Sequence, residues 1–136
     1  MKSQKVPPDI NFNPQIVIDK KVFAKLKKGQ IEPEKKLDLH GMNFNKANKA
    51  VLSFIIQSSR ENIRVVLIIT GKGQTNKKND RFFLERSSVT LKNALPEWLS
   101  VDPLKHLILN FTLAHKSHGG EGAYYVYLKR NRHYKT

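Results

Sequence analysis

Leu37-Asp38-Leu39-His40-Gly41 is the stretch on which the reading of this chain turns, because it sets a carboxylate and an imidazole two residues apart where a strand should end. On a strand, side chains at i and i+2 share a face, so Asp38 and His40 stand side by side while Leu37 and Leu39 enter the core. Such a pair is equipped for acid and base work. Gly41 turns the backbone away, and the residues beyond it read as a helix start. Asn43 is the cap, and Ala47, Ala50, Val51, Phe54 and Ile55 recur at helical spacing from Phe44 to about Ser59.

Downstream of that helix, Ile63 to Thr70 is a nearly continuous β-branched run, the pattern of a central strand. With the first strand at Lys36 to His40, a helix between two strands implies parallel pairing through a right-handed crossover. Residues Gln74 to Arg86 have no clear period and read as a long loop. Ser87 or Ser88 caps a helix from Val89 to about Leu95, and Pro96 restarts or kinks it before Glu97, Trp98 and Leu99, with Trp98 in the core. Leu104 to Ala114 and Gly122 to Arg130 are the third and fourth strands, joined by a turn at His115 to Glu121. The order is βαβαββ. Ahead of it all, residues 1–18 with Pro7, Pro8 and Pro14 read as a flexible N-terminal arm. Asp19 caps a short helix, Lys20 to Lys28, with Val22, Phe23 and Leu26 on one face and Gly29 as its stop. The expected division is therefore an arm (1–18), a basic lead-in helix (19–30) and one domain (31–136) ending in a basic tail (129–136).

A chain of 136 residues fits a single domain with a core that needs no staples. It has no cysteine, which excludes a disulfide framework and thiolate metal sites. No apolar run reaches the length of a membrane span, and Met1 to Gln15 lacks the apolar centre of a secretory signal, so a cytoplasmic protein without a membrane partner is expected. The 25 Lys and Arg against 11 Asp and Glu leave a net charge of +14. An excess this large points to a polyanion, with nucleic acid first, because each neutralised phosphate releases a condensed counterion. A generally basic surface, or an acidic protein partner, is the alternative.

In sheets with parallel strands, ligands gather outside the strands' carboxyl ends. Three unusual segments fall there: Asp38, His40 and Gly41; Thr70-Gly71-Lys72-Gly73; and His118-Gly119-Gly120-Glu121-Gly122-Ala123, provided the third strand runs with the first two. Two glycines around Lys72 can present backbone N–H groups and an ammonium to a phosphate. They do not make the G-x-x-x-x-G-K-[ST] frame, so an NTPase is not indicated. Each segment alone also has an ordinary structural explanation. Tyr125 and Tyr127 share a face of the fourth strand, to stack on bases or to pack, and Tyr124 faces the other way with Val126. Lys129, Arg130, Arg132, His133 and Lys135 form a basic tail suited to phosphates.

The order of the three segments resembles the Smr domain, the small MutS-related family found at the end of MutS-like proteins and as stand-alone proteins. Leu37 to Gly41 is similar to its LDLHG motif, Thr70 to Gly73 to its TGxG motif, Gly119 to Lys129 to its closing GGxGA segment, and Leu95 to Leu99 to the stretch between the last two. The resemblance implies an α/β fold of the α+β two-layer sandwich type. In it, a mixed four-stranded βαβαββ sheet carries helices packed on it, similar to the carboxy-terminal domain of translation initiation factor three. It also implies a nicking or endonuclease activity on DNA or RNA, since members with the full DLH motif are associated with cleavage and some without it with binding only. On that expectation Asp38, His40 and Lys72 are catalytic: His40 moves a proton, Asp38 fixes its tautomer or holds a divalent cation (Mg or Mn, with no cofactor certain), and Lys72 stabilises the pentavalent phosphate. Gly41, Thr70, Gly71, Gly73, His118, Gly119, Gly120 and Gly122 are expected to bind phosphate, His118 being equally a second proton donor or a solvated turn residue. Lys25, Lys27, Lys28, Lys77, Lys78, Tyr125, Lys129 and Arg130 are expected to contact the nucleic acid. A monomer that binds DNA or RNA, the ribosome among such partners, is the expected state, and a non-catalytic binding module on structured RNA or the ribosome is the alternative function.

Overall fold

Residues 14–71 and 90–131 of the computed structural model are described. Lys72, Gly73, the 74–86 loop with Lys77 and Lys78, the Ser87 and Ser88 caps, and Arg132, His133 and Lys135 lie outside them, as does the arm up to residue 13. Strand β1 (Lys35–Asp38) pairs in parallel with β2 (Val65–Ile69), Leu37 opposite Ile68 and Asp38 opposite Ile69, with α2 (Phe44–Arg60) as the crossover. Asn43 caps α2 as its sequence position demands, its side chain accepting from the Lys46 N–H at 2.8 Å. Strand β4 (Ala123–Leu128) lies antiparallel to both β2 and β3 (Ile108–Leu113), giving the order β1-β2-β4-β3. Both β2 and β3 oppose β4, so β3 runs with β1 and β2. The carboxyl ends of those three strands and the start of β4 therefore share one edge.

Alternation along the central strands feeds two cores. Val66, Ile68, Tyr124, Val126 and Leu128 face Val51 and Ile55 of α2 and Leu95 and Leu99 of α3 (Leu91–Leu99). Val65, Leu67, Tyr125 and Tyr127 face α1 (Pro14–Lys27), whose Leu26 is fully buried with Val22 and Phe23 packed beside it. The two-layer α+β sandwich thus describes residues 31–71 and 90–131, and the lead-in helix supplies a third layer on the sheet's second face. This explains why all six residues of β4 are buried.

Several boundaries differ from expectation for identifiable reasons. Helix α1 begins at Pro14, inside the segment read as arm, since proline suits a first helical turn, where its missing N–H costs nothing. Asp19 consequently is no cap. It lies within α1, where Tyr127 donates its hydroxyl hydrogen to Oδ1 at 2.7 Å and Arg64 Nη2 approaches at 3.4 Å. Thr90 rather than Ser87 or Ser88 caps α3, accepting from the Asn93 N–H at 3.2 Å. The helix also runs through Pro96 without a restart. A residue with an N–H at position 96 would donate to the Lys92 carbonyl. Tyr124 fills that gap by donating its hydroxyl hydrogen to the same carbonyl at 3.1 Å. Trp98 is half-buried against this core and meets Phe44 edge to face at 6.2 Å. Leu104–His106 forms a 3₁₀ turn, so β3 is shorter than the apolar run suggested.

Candidate functional site

Asp38 ends β1, and the Leu39 N–H still reaches the Ile69 carbonyl at 2.7 Å, but His40 has already left the strand. The Met42 N–H returns to the Leu39 carbonyl at 2.9 Å, closing a tight turn with His40 and Gly41 at its centre. Gly41 has φ +83°, a conformation other residues rarely adopt, which is why glycine sits here. The turn, and not the pleat, brings the pair together: one Asp38 oxygen accepts from the His40 backbone N–H at 3.0 Å and lies 2.6 Å from its Nδ1. A carboxylate only accepts, so the assignment that satisfies both groups puts the proton on Nδ1 and leaves the Nε2 lone pair available. The His40 side chain is 71% exposed and that of Asp38 49%. The side-chain hydrogen bond from His40, followed by its backbone hydrogen bond, holds the Asp38 carboxyl below the usual carboxylate range.

The second segment lies against the first: a Cβ at Gly71 would sit 3.7 Å from that of His40. Both Thr70 and Gly71 donate their N–H groups to the Gly122 carbonyl, at 2.8 and 3.0 Å, which clamps the third segment to the second. The described residues of all three candidate segments, Thr70 and Gly71 alone in the second, therefore meet at one sheet edge. The clamp corrects their expected roles, however. The Gly71 N–H is consumed internally, Gly119 N–H points to Lys116, Gly120 N–H to His115 and Gly122 N–H to Gly119. Thr70 is buried with its hydroxyl 2.8 Å from the Gly71 carbonyl. These groups hold the turns together and are not free to cradle a phosphate. Gly41 differs, because a Cβ there would meet nothing within 4 Å.

His118 is a joint rather than a surface group. Its side chain is 9% exposed, with Nδ1 on the Tyr125 hydroxyl and Nε2 3.4 Å from Glu32 Oε2. Tyr125, expected to stack on bases, is fully buried beneath it and has no ring face to offer; burial also raises its hydroxyl pKa. Lys25, Lys27 and Lys28 are exposed at the end of α1, and Lys116 is exposed in the turn after β3. Lys129 and Arg130 are exposed too, but they follow β4, whose Tyr127 opposes Val65 at the start of β2. That places them at the opposite edge, roughly 20 Å from the dyad by strand rise.

Three site-defining residues escaped the sequence reading. The His115 ring packs against Gly29, where a Cβ would come within 2.7 Å of it, and Glu32 reaches His118. Gly29 was readable only as a helix stop, since its partner is 86 residues away. Among the described residues no three His, Asp or Glu side chains converge as a metal site. Among the described residues Asp38 is the carboxylate at the dyad that would offer a cation a ligand.

A small α+β domain, with an exposed Asp–His dyad beside interlocked glycine turns at the carboxyl edge of a mixed sheet, is the class these features define. The chain belongs to the Smr domain family, whose model matches residues 37–129. It is 31% identical over 111 residues to a protein of Aeromonas hydrophila named ribosome rescue factor SmrB, covering 82% of this chain and 54% of that one. It is 30% identical over 110 residues to the probable DNA endonuclease SmrA of Escherichia coli, covering 80% and 52%. The chain thus spans about half the length of these curated relatives. The crystal structure of YdaL, a stand-alone small MutS-related protein from Escherichia coli, matches with a TM-score of 0.61 at 29% identity, covering 80% of this chain and 75% of that one. The Smr domain of Thermus thermophilus MutS2 has the same fold, with a TM-score of 0.53 at 22% identity, covering 70% and 98%. No described helix is long and apolar enough to cross a membrane.

Proposed function

We propose that this chain is an Smr-domain endonuclease that cleaves phosphodiester bonds in DNA or RNA at the edge carrying Asp38 and His40. The observation that carries this reading is the dyad itself, an imidazole held at 2.6 Å by an ionised carboxylate, with its second nitrogen open to solvent. Nε2 of His40 takes the proton of the attacking hydroxyl or water, and the resulting imidazolium is stabilised by Asp38. The same proton then serves the leaving oxygen. Attack by a ribose 2′-OH leaves a cyclic phosphate, whereas attack by water is the route open on DNA, where a divalent cation bound by Asp38 and the phosphate would supply Lewis-acid assistance. Lys72 is assigned the charge developing on the phosphate, following the family's TGxG segment. The net charge of +14 and the names of the relatives support a nucleic-acid substrate, with the ribosome among the partners.

The test is incubation with matched DNA and RNA, with and without chelator, followed by end-group analysis. His40→Ala is expected to abolish cleavage with binding largely intact, and wild-type cutting by that variant rejects the assignment. A second reading, a binding module that clamps phosphates without cutting, draws support from the ribosome rescue names. Under it the wild type binds with steep salt dependence and cuts neither substrate.

A further inference from the structure

Burial of Tyr125 leaves the edge without the stacking aromatic the sequence offered, yet another ring stands close by. Phe44 opens α2 four residues after His40, at most roughly 14 Å away along the chain. It is 40% exposed, and among the described residues no other Phe, Tyr or Trp is exposed. Its ring is oriented by an edge-to-face contact with the half-buried Trp98, and the Asn43 cap fixes the backbone beneath it. Between His40 and Phe44 lies Gly41, over which the space is open. Lys46 and Lys49 come next, on exposed positions of the same helix.

We propose that Phe44 is the platform on which a nucleobase next to the scissile phosphate stacks, with the sugar-phosphate backbone passing over the notch at Gly41. This rests on the nucleic-acid reading above and deepens it. Stacking on an aromatic ring is indifferent to base identity and requires an unpaired base, so the favoured substrate is single-stranded or locally opened at the cut. A burial motive alone does not place the ring here. Asn43 and Asn45 on either side are exposed, and α2 buries its apolar face through Ala47, Val51 and Ile55 further along.

The experiment compares the full chain with Phe44→Leu and Phe44→Trp. Each is titrated with a single-stranded oligonucleotide and with the same backbone lacking its bases. Leucine keeps an apolar group on Trp98 but removes the π face. Phe44→Leu is expected to bind the intact strand about ten-fold more weakly, the order of one stacked base, while Phe44→Trp retains affinity. All three proteins are expected to bind the abasic backbone equally, which also reports an intact fold. Wild-type affinity of Phe44→Leu for the intact strand overturns the stacking role and leaves the nuclease reading standing. Failure of the unaltered chain to bind either strand overturns both.

Discussion

Asp38 does two things with one oxygen: it fastens the His40 backbone into the turn and chooses which imidazole nitrogen carries the proton. Asp38→Asn keeps an acceptor of the same shape and loses the charge that stabilises an imidazolium. Single-turnover cleavage by that variant is expected to fall by about 10²-fold, within the range for a positioned acid–base group, with affinity little changed. The pH dependence has a definite sign. Because the folded-state pKa of Asp38 is lowered, its contribution to stability is present above the ordinary carboxylate value and is lost as pH falls through the folded one. With the side chain half exposed, that contribution is under about 1 kcal/mol. Denaturant melts of wild type and Asp38→Asn should converge as pH drops below the ordinary carboxylate value of about 4. At this scale the spacing of Asp38 and His40 was legible, although the pleat argument was wrong: a turn makes the contact. The glycines misled because their N–H groups are taken by partners that local sequence does not reveal, such as Gly122 for Gly71.

Helix α1 is attached at both ends of its inward face by contacts that invite substitution. Gly29 has φ +74° and leaves no room between itself and His115. Gly29→Ala is expected to cost about 1–3 kcal/mol in chemical denaturation, combining left-handed strain with the displaced ring. At the other end, burial and the hydrogen bond to Asp19 push the Tyr127 hydroxyl up to about 12. A raised pKa means stability that is fully present below the ordinary tyrosine value near 10 and is lost as pH rises toward about 12. Tyr127→Phe should therefore remove an alkaline limb from the stability profile over that window. Tyr124→Phe strips the Lys92 carbonyl of its partner below Pro96 and is expected to cost about 1 kcal/mol. Adding Pro96→Ala, which restores a backbone donor, should recover part of the loss, and a double-mutant cycle measures that coupling. Helix existence was readable from Asn43 and the apolar spacing, yet the course of α3 was not, because its continuity through proline depends on a tyrosine from another element.

The molecule carries its charge unevenly in function. Lys35 and Lys92 are neutralised by Glu61 and Glu121, whereas Lys25, Lys27, Lys28 and Lys116 stand exposed at or beside the dyad's edge. Changing Lys25, Lys27 and Lys28 together to Gln is expected to lower the slope of log affinity against log salt by roughly 2 to 3, about 0.9 for each duplex phosphate no longer neutralised and less on single strands. The same change at Lys129 and Arg130, on the far edge, should leave cleavage rates at saturation untouched. The βαβαββ order and the shared edge were readable because each strand announced itself by an apolar run and each crossover by a helix. The third layer was not, since the apolar face of Val22, Phe23 and Leu26 shows that the helix packs on something but not which face of the sheet receives it.

The placement of β4 has a bearing on biosynthesis. It is the last of the described strands along the chain, yet it occupies the centre of the sheet, and its leading Gly122 carbonyl receives both Thr70 and Gly71. A ribosome making this protein will have finished Asp38 and His40 long before their neighbours can settle around them. Partial copies therefore carry Asp38 and His40 without the surroundings that give the pair its shape, and the edge is assembled only after β4 has been made.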